Sequence, residues 1–188
     1  CNSKGFIKPK TMKIELLDII RTGRFDNITI GDIKENVLHE IGEPQHTNVW
    51  NTDPKEYSET CCYKWFEFTF INGVLHRYQH KYLLDSDYQF NREFLSGYNH
   101  FKINTWFKHI ETDIKLAQVK QKLVQEQITF IEEPFYDTLR LLINIENKIT
   151  VELQFHSKLA YQCSPEEWQD YDEKALNWKL GALYVTGK

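Results

Sequence analysis

The apolar positions of this chain change period as it proceeds. Ile14, Leu16, Leu17, Ile19 and Ile20 recur at helical spacing, and Gly23 closes the run, since glycine adopts the left-handed conformation that ends helices. Arg24 to Ile30 alternates weakly, as a short edge strand before Gly31 would. A second helix is predicted over residues 33–41: Asp32 and Glu35 form a D-x-x-E capping box, Val37, Leu38 and Ile41 share a face, and Gly42 and Pro44 stop it. Residues 45–60 are polar and turn-rich and are predicted to be a loop. The period then becomes two. Phe66, Phe68 and Phe70 alternate, Asn72-Gly73 supplies a positive-φ turn, and Val74 to His80 is the returning strand of a hairpin.

After a linker at roughly residues 84–103 the order repeats. Leu116, Val119 and Leu123 mark a helical face, and Ile128 to Ile131 suggests a short strand. Leu139 to Ile145 and Ile149 to Phe155 alternate on either side of Asn147, predicting a second hairpin. Ser164, Pro165, Glu166 and Glu167 then have the cap, first-turn proline and acids of a final helix reaching about Trp178. The expected fold is α+β: two successive helix-then-antiparallel-hairpin units, about residues 12–83 and 104–160, with a C-terminal helix, in a single domain.

Composition narrows the partners. Twenty-seven acidic against 23 basic side chains leave a charge of -4, so there is no general attraction for phosphate backbones and no nucleic-acid partner is expected. No stretch approaches the ~20 apolar residues of a membrane span. Cys1 admits two readings: the anchored first residue of a lipoprotein, or part of an extension, residues 1–11, upstream of a start at Met12. No Cys/His spacing suggests zinc, and reduced thiols and a cytoplasmic setting are the default.

The search for chemistry returns little. His76 and His80 in a strand stand roughly 13 Å apart, too far for one metal. Cys163 precedes a predicted helix, a position that can lower a thiol pKa, but its flanks match no nucleophile motif. No glycine-rich phosphate loop or nucleophile elbow is present. Neither a catalytic residue, a metal site nor a cofactor is expected.

The densest unusual segment combines Glu166, Glu167, Asp170, Asp172 and Glu173 with Trp168 and Tyr171. Acids around large aromatics suit the docking of a basic partner, while the plain alternative packs the two rings inward and leaves the acids in water. Asp53, Glu56 and Glu59 in the 45–60 segment form a second candidate contact.

Three stretches carry a family resemblance: Arg21 to Phe25 (RTGRF), Ile30 to Pro44 (IGDIKENVLHEIGEP) and Tyr63 to Phe70 (YKWFEFTF). Together they resemble small bacterial immunity-type proteins encoded beside polymorphic toxins of the contact-dependent inhibition kind. The resemblance covers residues 12–80; beyond them only the order of elements matches. It implies a protein that binds a cognate toxin domain, a basic nuclease for example, and blocks its active site; it carries over no catalytic residue. The Ile30 to Pro44 stretch followed by a hairpin is also similar to the BamE/SmpA-type outer-membrane assembly lipoproteins, which with Cys1 implies the alternative of a lipid-anchored envelope scaffold.

Overall fold

Strands dominate the computed structural model, which describes residues 12–53, 55–64, 66–80, 101–104, 106, 115–135, 138–145, 148–156 and 179–187. The first strand, β1 (Met12–Glu15), leads into helix α1 (Leu16–Thr22) and then α2 (Lys34–Ile41). Four strands follow: β2 (His46–Asn51), β3 (Ser58–Tyr63), β4 (Phe66–Ile71) and β5 (Val74–His80). After β6 (Phe101–Asn104) and helix α3 (Leu116–Gln125) come β7 (Ile131–Phe135), β8 (Thr138–Ile145), β9 (Ile149–His156) and β10 (Lys179–Gly187).

Eight of these strands form one antiparallel sheet in the order β2-β3-β4-β5-β10-β9-β8-β7, and β1 pairs in parallel with β6. The expected α+β arrangement of helix–hairpin units is therefore corrected to a predominantly β fold, with three short helices among the described residues. Two meanders, β2 to β5 and β7 to β9, are joined through β10, which pairs with both β5 and β9. The segment predicted as a loop over 45–60 contains β2 and the start of β3. The 84–103 linker likewise ends inside β6, and the strand expected at Ile128 to Ile131 begins only at Ile131. The predicted C-terminal helix and the 1–11 extension lie outside the described residues.

Period-two alternation builds the core. Cys61, Phe68, Tyr78, Val185, Val151 and Ile143 are successive cross-strand partners on one face, and all are buried. A second row on that face runs Tyr63, Phe66, His80, Leu183, Leu153 and Leu141. Ile19 and Ile20 of α1, Val37 and Ile41 of α2, and Leu116, Val119 and Leu123 of α3 bury into the same cluster. At its centre Phe25 makes edge-on contacts with Phe66, Phe68, Tyr78 and Phe101, with centroids 4.7 to 5.9 Å apart. The opposite face carries a polar row: Thr60, Thr69, Arg77, Thr186, Thr150 and Asn144.

The helix ends show which local signals operate. Gly23 has φ 63° and its N–H donates to Ile19 O at 2.8 Å, so α1 stops where expected, although Ile14 belongs to β1 rather than to the helix. Asn72 (φ 48°) and Gly73 (φ 76°) make the turn between β4 and β5. The capping box at Asp32 is not formed. Ile33 is the N-cap and has no side-chain cap; Asp32 Oδ2 instead accepts the Thr29 N–H at 2.8 Å. Backbone replaces the cap: Lys34 N–H donates to Gly73 O at 2.8 Å, which ties the start of α2 to the β4–β5 turn.

Candidate functional site

The two outer strands of the sheet differ in chemistry. β7 carries Pro134, and its Glu132 and Glu133 are paired with Lys120 and Arg140. Proline and charge are the usual guards of an exposed edge. β2, His46–Asn51, has neither a proline nor an aspartate, glutamate, lysine or arginine, and five of its six residues are exposed. Trp50 is 72% exposed and Val49 48%, beside a register shift in the β2–β3 pairing. The indole is not loose: its Nε1–H donates to Thr60 Oγ1 at 3.0 Å.

The turn after β2 holds the second acidic candidate, and the structure divides it. Asp53 and Glu56 are exposed; the Asp53 side chain accepts the Lys55 N–H at 2.9 Å and its carbonyl accepts the Glu56 N–H at 2.9 Å. Glu59 is no loop residue. It lies in β3 on the core face, 6% exposed, and pairs with Lys34 Nζ at 2.7 Å. Desolvation would lower the Lys34 pKa, but the bond to Glu59 and the charge of that carboxylate outweigh it and hold the ammonium above the usual lysine value. Glu59 is thus committed to the fold and does not face a partner.

Two further apolar side chains belong to this end of the sheet. Ile33 (48% exposed) and Val74 (40%) form a bridge beside the Asn72-Gly73 turn. Asn72 fastens that turn to the β2–β3 connection: its N–H donates to Tyr57 O at 2.8 Å and its Nδ2 to Lys55 O at 3.2 Å. Trp50, Asp53, Glu56, Ile33 and Val74 thereby sit on connected backbone. The signal for Trp50 was a lone tryptophan in a polar stretch; Ile33 and Val74 gave none, because each continues an apolar pattern.

The first-choice candidates, Glu166, Glu167, Trp168, Asp170, Tyr171, Asp172 and Glu173, lie outside the described residues, as does Cys163. His76 is exposed and His80 buried against the Phe66 ring, so the two share no environment. Cys61 and Cys62 are buried, and burial pushes the Cys61 thiol up, away from a reactive thiolate. Among the described residues no group of three His, Cys, Asp or Glu is placed to hold a metal ion, and no helix is long and apolar enough to cross a membrane.

A separate cleft of about 610 Å³ lies where α1 ends, beside the β8–β9 hairpin and the residues after α3. Arg21, Arg24 and Thr29 line it together with Ile128, Ile145 and Ile149.

No protein-family model matches the chain, and no curated protein matches it. Among solved structures it is similar to an extracellular protein containing a SCP domain from Bacillus anthracis str. Ames, with 12% identity and a TM-score of 0.37. The match covers 88% of this chain and 46% of that one, so this chain spans less than half of that protein's length. A likeness this loose extends neither that protein's domain nor its setting to the present chain.

Proposed function

We propose that this protein is an immunity-type binding protein that neutralises a cognate bacterial toxin domain by covering its active site. The observation that carries the proposal is Trp50, 72% exposed yet held by Thr60 on an uncharged edge strand. A large aromatic already fixed in place loses little freedom on docking, which is the property of an interface anchor. Asp53 and Glu56 beside it are exposed acids, and with the overall charge of -4 they favour a basic partner, such as a nuclease domain with a positive substrate cleft. The acidic, aromatic stretch from Glu166 to Glu173 supplies a second contact of the same chemistry. The proposal assigns the chain no catalysis and no direct contact with nucleic acid, and places it in the cytoplasm, where an incoming toxin domain is intercepted.

Co-expression with the toxin domain encoded beside it is the test. The wild-type chain is expected to restore growth and to co-purify with the toxin domain. Trp50→Ala combined with Asp53→Lys is expected to weaken the complex by about tenfold or more, while changing stability by no more than about 1 kcal/mol. Failure to form a complex or rescue growth rejects the proposal.

A further inference from the structure

Four of the five residues of the RTGRF stretch are consumed by the fold. Arg21 pairs with Glu126, just after α3. Thr22 Oγ1 donates to Asp18 O at 2.7 Å and accepts the Arg24 N–H at 3.2 Å. Gly23 meets a positive φ of 63°, and Phe25 is fully buried. Arg24 is left over. It is exposed, its guanidinium donates to the Asn27 carbonyl at 3.1 Å, and among the described residues it has no carboxylate partner.

The cleft that Arg24 borders has a consistent chemistry. Among the described residues that line it, the charged ones are Arg21 and Arg24, in a chain whose total charge is -4. Its lining is otherwise isoleucine, with threonine and amide side chains. At about 610 Å³ it has the size of a small-molecule site.

We propose that this cleft binds a carboxylate carried on a short hydrocarbon body, with the carboxylate on Arg24 and the hydrocarbon against Ile128, Ile145 and Ile149. A guanidinium matches a planar carboxylate with two parallel N–H donors. A phosphate fits less well. Arg21 is already shared with Glu126 and no lysine among the described residues lines the cleft, which leaves one guanidinium, too little to balance a dianion. The same chemistry is found in a free short-chain fatty acid and in the C-terminus of a peptide ending in an aliphatic residue.

The full chain, labelled on isoleucine methyl groups and arginine Nε, is titrated by NMR with hexanoate, acetyl-glycyl-leucine, hexanol and inorganic phosphate. Hexanoate or the dipeptide is expected to shift the Ile128, Ile145 and Ile149 methyls and the Arg24 signal, with hexanol and phosphate at least about tenfold weaker; the tighter of the two carboxylates identifies the source. Arg24→Gln, whose folding is checked by the Phe25-region signals, is expected to lose about tenfold in affinity, and Arg24→Lys to keep most of it. No shift at about 10 mM of any probe, hexanol matching hexanoate, phosphate matching hexanoate, or an unchanged affinity in Arg24→Gln would each overturn the proposal. These outcomes are independent of whether a toxin domain binds at Trp50.

Discussion

Gly23 and Ile149 approach so closely that a Cβ on Gly23 would stand 2.5 Å from Ile149 Cγ2. The contact sets the end of α1 against the start of β9. Gly23→Ala meets both a positive φ and a filled space, and is expected to cost about 2–4 kcal/mol. Adding Ile149→Ala relieves the clash but not the backbone strain, so a double-mutant cycle by urea denaturation should show a favourable coupling between the two changes.

Phe25 and Trp50 should separate stability from binding. Truncating Phe25, fully buried among four rings, is expected to cost about 3–5 kcal/mol. Trp50→Ala at an exposed site is expected to change stability by only about 0.5 kcal/mol. Chemical denaturation measures both, and an equal loss at the two positions would show that Trp50 belongs to the packing.

The Lys34–Glu59 pair is half inside the protein. Replacing Glu59 by Gln leaves the ammonium with a weaker acceptor in a partly dry site and is expected to cost about 1–3 kcal/mol. Lys34→Met with Glu59→Leu should recover most of that loss. A double variant as unstable as the single one would mean that the pair acts through something other than its charges.

Alkali should unfold the chain cooperatively. Burial raises the pKa of Cys61, Tyr63 and Tyr78 above 9.0 for the thiol and 10.0 for the phenols, so the native state keeps protons that the unfolded chain releases above those values. Stability then falls as pH rises past them. Lys34, raised above 10.5, stabilises the fold below that value and ceases to do so as pH climbs through its folded pKa. All four shifts act in one direction. Urea midpoints are expected to drop steeply between about pH 9 and 11, and phenolate absorbance of Tyr63 and Tyr78 should appear only with unfolding.

Removing β10 should abolish the fold. Leu180, Leu183 and Val185 are buried, and at about 1.5–3 kcal/mol each their loss approaches the whole stability of an ordinary domain. A chain ending at residue 178 is expected to lose its near-ultraviolet circular dichroism, and a peptide of residues 179–187 to restore part of it.

Local chemistry was legible where one residue type decides the backbone. Asn72-Gly73 marked its turn and Gly23 and Gly42 their helix ends, because positive φ is a property of the residue itself. The capping box failed because the Gly73 carbonyl reached the start of α2 first, a contact that depends on a hairpin far along the chain. β2 was hidden by its exposure: a strand with no buried face has no alternation to display. β10 was hidden for the opposite reason. Leu180 to Leu183 are all buried, which erases the polar half of the pattern, and Gly181 with Ala182 mimics a turn. In the candidate site, acidic residues in a polar stretch pointed to Asp53, Glu56 and Glu59, but strand register turned Glu59 inward.

The place of β10 between β5 and β9 also sets an order of events during synthesis. β5 is translated roughly a hundred residues before β10, which at ~5–20 residues per second leaves its inner edge waiting ~5–20 s for a partner. Over that interval the nascent chain must keep a half-finished sheet from pairing with a neighbour on the same message. Arg77, Gln79 and His80 along that waiting edge give it a polar character, and a slowed ribosome between residues 80 and 179 would lengthen the exposure and lower the yield of folded protein.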